Sequence, residues 1–256
     1  MKIKILKYIF LDLFRSKFIL AYTFFLLLMT ITVVYIGHDT SKAVISILNI
    51  ILFIVPLVSI IFGTIHFYNS REFIEFLLTQ PVARKSIFWS EYFGLSASLS
   101  LSFITGVGLP LIFIGINIQG VYLIISGVLL TLIFVSLAFL ASSAVNDRVK
   151  GIGLSILIWL YLSVIFDGFV MMIFYLLRDY PLDKIIVGLT SLNPVDLTRI
   201  LILLQIEISA LMGFTGATFQ NFFGSITGKI YSLIMLLIWI ILPAMISLRV
   251  FKRKNF

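Results

Sequence analysis

The sequence of 256 residues contains no cysteine and little charge. The absence of cysteine excludes disulfide bonds, thiolate metal sites and thiol catalysis. Charged residues make up 12% of the chain and hydrophobic residues 61%. A soluble domain of this length needs more charge to cover its surface, and here the apolar residues also form long unbroken runs. This composition predicts a membrane protein.

Six apolar runs are long enough to cross a bilayer, since about 20 apolar residues in a helix span the hydrocarbon core. We therefore predict an all-α polytopic membrane protein with six transmembrane helices. It forms a single transmembrane domain over residues 1–256. Within this domain, residues 1–16 are predicted to form an interfacial helix, residues 69–92 a cytoplasmic connection and residues 178–228 an outer loop with a helix. The predicted spans are Phe18–Ile36, Val44–Phe67, Gly94–Ile116, Val121–Val145, Ile152–Leu177 and Ile230–Val250.

The formal net charge of +8 has two possible explanations, nucleic-acid binding and membrane topology. Lysine and arginine flank the ends of the apolar runs and are more frequent in every second connection between them. This is the pattern of a topology signal. We therefore predict no nucleic-acid partner and place both chain ends in the cytoplasm. The basic residues on that side are Lys2, Lys4, Lys7, Arg15, Lys17, Arg71, Arg84, Lys85, Arg148, Lys150, Arg249, Lys252, Arg253 and Lys254.

The first sixteen residues have a helical pattern of their own. Lys4, Lys7, Asp12 and Arg15 fall on one side of a helix, and the other side is apolar. This pattern predicts an amphipathic helix in the cytoplasmic interface, with membrane lipid as its partner. The alternative is a positively charged flank that only anchors span one. The apolar side consists of Ile3, Leu6, Ile9, Phe10, Leu13 and Phe14.

The connection between spans two and three carries a short apolar helix. Asn69 is predicted to cap this helix, with Glu72 in its first turn, and Pro81 is predicted to end it. An apolar helix at the cytoplasmic surface needs a cover, which is either lipid or a soluble partner domain. Its apolar residues are Phe73, Ile74, Phe76, Leu77 and Leu78.

The long connection before span six predicts a helix over Pro194–Leu211. Asn193 is suited to the N-cap, Pro194 to the first helical position and Asp196 to the first turn. The helix is mostly apolar, so we expect it to lie on the membrane surface or to dock a partner on the outer side. Its further polar residues are Arg199, Gln205 and Glu207.

Asp167 in span five is the one convincing ionisable candidate within the membrane. Such a group is a functional candidate by default. One interpretation is an ion or proton site, or a polar contact between helices. The alternative places Asp167 near the outer end of its helix, where it reaches water or a backbone amide. His38 and His66 are predicted to lie on opposite sides of the bilayer, so we predict no metal site in this chain.

The order of these parts resembles the ABC-2 type permease family. The string from Glu75 to Arg84 is similar to that family's pattern of acid, paired leucines, hydroxyl, proline and arginine. The resemblance implies that ATP is bound by a separate ABC ATPase subunit and that this chain holds no cofactor. It also implies an ATPase-coupling role for Arg71, Glu72, Phe73, Glu75, Phe76, Leu77, Leu78, Pro81 and Arg84.

Within that family, the outer connection is similar to the permeases that serve maturation of nitrous oxide reductase. The resemblance is carried by residues 193–199, Gln205, residues 209–213 and 215–217, and residues 164–167. It implies a homodimer in the bacterial inner membrane with a periplasmic β-helical partner, working for a copper–sulfide centre. Contact with that outer partner is implied for Asn193, Pro194, Asp196, Arg199, Gln205 and Glu207.

Two hypotheses of different class follow. In the first, the chain is a permease subunit without chemistry of its own, which transmits movement from the ATPase to the outer partner. In the second, it is a stand-alone secondary carrier or an integral-membrane enzyme. The apolar helix around Phe73–Leu78 favours the first, which requires such a helix, whereas the second leaves it unexplained. The sequence contains no HExxH motif and no GxSxG motif, and we predict no enzymatic activity.

Overall fold

The computed structural model describes residues 2–36, 40–114, 118–176, 188–204 and 223–254, and in these ranges the regular elements are all helical. Gln205, Glu207 and the distal part of the predicted helix Pro194–Leu211 lie outside them. The α-helices are α1 Lys2–Phe14, α2 Lys17–Ile36, α3 Thr40–Asn69, α4 Arg71–Leu78, α5 Arg84–Phe103, α6 Leu109–Ile114, α7 Ile118–Ala144, α8 Arg148–Leu160, α9 Phe166–Leu176, α10 Pro194–Leu203 and α11 Ile226–Arg253; the π-helices Ile104–Gly108 and Tyr161–Ile165 join α5 to α6 and α8 to α9.

Six membrane-spanning candidates are present within the described residues, which confirms the predicted fold class. The Tyr8 ring of α1 lies 6.0 Å from the Phe73 ring of α4, and Arg84, which follows α4, binds the Lys254 carbonyl after α11. Helix α1 and the end of α11 therefore lie on one face of the bundle, here named the terminal face; the other end is the opposite face. Spans one to six are Lys17–Ile36, Ala43–Asn69, Arg84–Phe113, Ile118–Ala144, Arg148–Ile173 and Ile226–Arg253.

The predicted start of span three at Gly94 was wrong, because the helix begins at Arg84. The intervening residues include serines and Glu91, which lower the hydropathy of the segment. Ser86, Ser90 and Glu91 are nevertheless buried inside the bundle. Burial among neighbouring helices therefore extends the span beyond the apolar run that sequence alone identifies.

Span four is the centre of the bundle. It contacts spans two, three, five and six and also α10. Close packing depends on small residues at the crossing with span two, where a Cβ added to Gly63 would lie 2.8 Å from the Ala138 Cβ. Such an approach leaves no room for a larger side chain on either helix. Span four is the most buried span, with 67% of the residues in its most apolar segment buried, whereas the share is 11% in span five and 22% in span one.

Each π-helix interrupts a span and releases backbone groups from the regular α-helical pattern. The first, Ile104–Gly108, lies just before Pro110, which has no N–H to donate. The second, Tyr161–Ile165, contains no proline. Its Leu162 carbonyl accepts a hydrogen bond from the Asn193 side chain at 2.7 Å. This second π-helix is therefore the place where span five receives α10.

Helix α1 forms as the N-terminal pattern predicts, and its apolar side packs on the protein. Ile9 and Leu13 are buried, and the Ser98 hydroxyl donates to the Phe10 carbonyl at 3.4 Å. A Cβ on Gly94 would lie 2.7 Å from Ile9 Cγ2, so α1 and span three are in direct contact. Span three thus covers part of the surface that was expected to face lipid. The placement of α1 in the membrane interface stays a prediction.

The predicted N-cap of α4 at Asn69 was wrong. Asn69 is the last residue of α3, and Ser70 occupies the cap position with helical backbone angles and no side-chain cap hydrogen bond. The Ser70 amide still donates to the His66 carbonyl at 2.8 Å, and the Ile74 amide donates to the Ser70 carbonyl at 2.8 Å. The hydrogen-bond pattern of span two therefore runs into α4, and no separate side-chain cap is required.

Candidate functional site

Helix α4 presents two different sides at the terminal face. Ile74 and Leu77 are buried and hold the helix to the bundle. Glu72, Glu75 and Phe76 are exposed, and Phe76 keeps 60% of its surface uncovered. An exposed phenylalanine flanked by carboxylates is a surface that a protein partner can bury. Only part of the predicted coupling set is therefore available to a partner.

The remaining residues of the predicted coupling set have structural contacts. Arg71 Nε donates to Glu75 Oε1 at 3.1 Å along the helix surface. The half-buried Phe73 ring lies 6.0 Å from the Tyr8 ring of α1, measured between centroids. Pro81 is exposed in the turn that follows the helix, and Leu78 is half-buried. These contacts join α4 to the N-terminal helix as well as to span two.

Arg84 links the start of span three to the end of span six. Its Nη1 donates to the carbonyl oxygens of Lys252 at 3.0 Å and Lys254 at 2.9 Å. In turn, Lys254 Nζ donates to the carbonyls at the end of span four, Ser142 at 3.2 Å, Ser143 at 3.3 Å and Val145 at 3.1 Å. Cations at helix C-termini satisfy carbonyls that lack an intrahelical partner. These two cations therefore tie spans three, six and four together at the terminal face.

Sequence reasoning missed a buried acid–base pair beside α4. His66 Nε2 and Glu91 Oε2 are 2.8 Å apart, and Glu91 is only 2% exposed. The Ser70 hydroxyl lies 3.3 Å from His66 Nε2, so the pair reaches the first residue before α4. Glu91 was assigned to a cytoplasmic connection because span three was expected to start at Gly94. The signal that could have identified Glu91 is its spacing from Ser98 and Ser102, at intervals of seven and four residues, which places all three on one polar side of a helix.

Asn193 anchors α10 to the helix bundle. Its Oδ1 accepts from the Val195 amide at 3.0 Å, which confirms the predicted N-cap. Its Nδ2 donates to the Leu162 carbonyl in the π-helix at 2.7 Å and to Asp196 Oδ2 at 3.1 Å. Asn193 is fully buried, as are Leu197 and Thr198. The chain's own spans therefore cover α10, where the sequence led us to expect the membrane surface or a partner.

Asp167 has a cationic partner on α10, which the sequence did not identify. Arg199 Nη1 donates to Asp167 Oδ2 at 2.9 Å and lies 3.3 Å from Asp196 Oδ1. Burial, together with the neighbouring Asp167, raises the pKa of Asp196 to about 7. The Arg199 charge and the hydrogen bond from Asn193 oppose this rise. Asp196 belongs to α10 and lies outside the six spans. The Arg199 guanidinium thus contacts both the Asp167 and the Asp196 carboxyl groups.

The predicted outer-partner residues fall into two groups. Asn193, Pro194 and Asp196 are buried in the single chain, and Arg199 is half-buried. The three buried residues can meet a partner only if α10 moves away from the bundle, and contact with a partner stays a prediction for all four. Gln205 and Glu207 lie outside the described residues. The described residues contain no group of three or more histidine, aspartate or glutamate side chains that could hold a metal ion.

Comparison with known proteins decides the family. Residues 3–256 match the family model described as ABC-2 family transporter protein. The chain belongs to the ABC-2 transporter family. This membership favours the permease hypothesis over a stand-alone carrier, and an ABC-2 permease implies an ABC ATPase partner. The chain is thus a multi-pass membrane subunit of an ABC transporter.

Two individual ABC permeases are similar to this chain at low identity. One is the probable ABC transporter permease protein NosY of Stutzerimonas stutzeri, 22% identical over 211 residues, which cover 74% of this chain and 76% of that protein. The other is the probable ABC transporter permease protein NosY of Pseudomonas aeruginosa, 22% identical over 223 residues, which cover 79% and 81%. The similarity extends over most of each chain, so it is not confined to one motif.

Proposed function

We propose that this ABC-2 subunit transmits ATP-driven movement from an ATPase at the terminal face to α10 at the opposite face. In this proposal the terminal face is cytoplasmic, and the membrane is the bacterial inner membrane. The observation that carries the proposal is α4, which is anchored by Ile74 and Leu77 and exposes Glu72, Glu75 and Phe76. The ATPase subunit, similar to NosF, would bind this exposed side and supply the ATP site.

The path of transmission uses the contacts that follow α4. Arg84, at the end of the turn after α4, holds the end of span six, and Lys254 holds the end of span four. Span four contacts α10 directly, and span six contacts it as well. Tightly packed helices move as units because their interiors resist compression. A displacement of α4 therefore reaches α10 through spans four and six.

The task of the complex is inferred from its similarity to NosY. We propose a homodimer of this chain with a periplasmic β-helical partner similar to NosD. The complex would support the copper–sulfide centre of nitrous oxide reductase. Mechanical coupling accords with the sequence, which has no cysteine and in which the two histidines and seven methionines form no aligned path for copper ions. The protein would change the state of the outer partner, and conduction of bare copper ions is not part of the proposal.

Co-purification with the ABC ATPase tests the docking side of α4. Glu75→Lys and Phe76→Asp should abolish co-purification from mild detergent, because each places a repulsive group on an exposed docking surface. Val149→Asp is the matched control, since Val149 is 79% exposed in the first turn of span five at the terminal face. Leu77→Asp is unsuitable for this purpose, because Leu77 is 5% exposed and a charge there would disrupt the fold.

The outcomes separate docking from folding. Loss of the ATPase from both α4 variants, with normal elution of the folded chain and retention by Val149→Asp, supports the proposal. Retention of the ATPase by Phe76→Asp would place the docking surface elsewhere. A separate experiment tests the mechanical part: copper transport into vesicles by the chain and its ATPase, without any periplasmic protein, would refute it.

A further inference from the structure

In the contact between α10 and span five, the described residues place two carboxyl groups beside one guanidinium. Asp167 of span five and Asp196 of α10 both approach Arg199 Nη1, at 2.9 Å and 3.3 Å. With both carboxyl groups ionised, this cluster would carry a net negative charge within the helix bundle. Two carboxylates that share one site do not both ionise readily, because each charge opposes the other.

One oxygen of this cluster is left without a donor. Asp196 Oδ2 accepts from Asn193 Nδ2, but Oδ1 is buried and no described residue donates to it in hydrogen-bond geometry. Arg199 Nη1 is close to Oδ1 but is directed to Asp167 Oδ2. A buried acceptor without a donor is costly. A proton on Oδ1 removes this cost, because the hydroxyl becomes a donor to the neighbouring Asp167 carboxylate.

The other elements around α10 add little charge to the pair. Span four has no charged residue, and span two has no aspartate, glutamate, lysine or arginine. Span six brings Lys229 to the opposite face, where its ammonium lies 6.0 Å from the centroid of the Tyr122 ring. Among the described residues, the charged groups that act on Asp196 are therefore Asp167 and Arg199, and the Asn193 amide adds a hydrogen bond.

We propose that Asp196 and Asp167 form a carboxyl–carboxylate pair that holds one proton, and that loss of this proton loosens α10 from span five. The proton leaves Asp196 Oδ1 for water at the uncovered edge of the pair, since the Asp167 and Arg199 side chains keep 31% and 34% of their surfaces. Two ionised carboxylates then oppose each other between α10 and span five. The contacts of α10 alone carry this proposal, which does not depend on the ATPase.

The raised pKa of Asp196, about 7 because of its burial and of Asp167, sets the pH at which α10 responds. The folded protein binds this proton more tightly than an unfolded chain does. Its stabilising effect is therefore complete below the ordinary aspartate range and is lost as the pH rises through about 7. The seat of α10 should consequently be tight at mildly acidic pH and looser at alkaline pH.

Infrared difference spectroscopy of the full chain in lipid nanodiscs tests the shared proton. We expect a protonated-carboxyl C=O band that disappears as the pH rises through about 7 and that is absent in Asp196→Asn. Asp167→Asn should lower the midpoint by about one pH unit or more, a tenfold change in proton affinity, because Arg199 then pairs with Asp196 alone. Asp12→Asn is the matched control, since Asp12 is exposed and its removal should leave the band unchanged.

Amide hydrogen exchange tests the movement of α10. After correction for the intrinsic pH dependence of exchange, residues 194–203 should exchange faster above the midpoint in the wild type. They should stay protected in Asp196→Asn, whose neutral amide imitates the protonated carboxyl. The proposal is overturned if the titrating band persists in Asp196→Asn, if no carboxyl titrates near neutral pH, or if exchange in α10 is independent of pH in the wild type.

Discussion

At the scale of single residues, the bundle uses buried polar pairs to fix one arrangement of apolar helices. The pair of His66 and Glu91 joins span two to span three next to α4, and Ser70 extends it to the helix junction. Apolar surfaces alone specify the order of helices weakly inside a membrane, since lipid is as apolar as the side chains. A buried pair adds a contact that only one register satisfies.

His66→Ala should destabilise the protein more than Glu91→Gln. The first variant leaves the buried carboxyl of Glu91 without the partner that His66 provides, a loss of about 3 kcal/mol. The second keeps a side chain that can hydrogen bond to the imidazole and carries no charge. Thermal unfolding in a fixed detergent measures the difference. Equal unfolding temperatures for the two variants would show that the carboxylate does not depend on His66.

At the scale of elements, α10 differs from the other helices because its cap lies inside the protein. The Asn193 side chain satisfies both the first turn of α10 and a carbonyl that the π-helix of span five releases. Asp147, by contrast, caps α8 in an exposed connection and accepts only from the Lys150 amide at 3.0 Å. Loss of the Asp147 side chain therefore affects α8 alone, whereas loss of the Asn193 side chain affects both α10 and span five.

Asn193→Ala should cost more stability than Asp147→Ala. Both substitutions remove a side-chain cap, which contributes about 1 kcal/mol. Asn193→Ala also leaves the buried Leu162 carbonyl without its donor, which adds about 1–3 kcal/mol. Thermal unfolding of the two variants in the same detergent measures both losses. A loss for Asn193→Ala that does not exceed the loss for Asp147→Ala would contradict the anchoring of α10 to span five.

At the scale of the whole molecule, the two candidate sites are connected through the central span. Lys254 at the end of the described chain binds the last carbonyls of span four, and the Ser143 hydroxyl lies 2.9 Å from the Ser247 hydroxyl of span six. The same two spans contact α10. A change at the terminal face therefore acts on the helices that hold the opposite site.

Lys254→Met should separate ATPase binding from the response of α10. The exposed side of α4 is unchanged in this variant, so the ATPase should still co-purify. Addition of ATP should alter hydrogen exchange in residues 194–203 less than in the wild type, because span four has lost its bonds to Lys254 while Arg84 still holds the end of span six.

Arg253→Met is the control for this experiment, since Arg253 is exposed at the neighbouring position. It should behave as the wild type in both measurements. An ATP response of wild-type size in Lys254→Met would show that the bonds from Lys254 to span four are not part of the route to α10.

The sequence by itself determined that there are six spans, a short apolar helix between spans two and three and a cap at Asn193, because these depend on local composition and spacing. It also indicated the family, through the resemblance carried by the string from Glu75 to Arg84. Only the tertiary structure decided that Glu91 is buried, that Asp167 pairs with Arg199 and that the chain itself covers α10. Hydropathy treats a serine or a glutamate as a reason to end a span. Packing allows such residues inside a span, because neighbouring helices supply the hydrogen bonds and charges that lipid cannot.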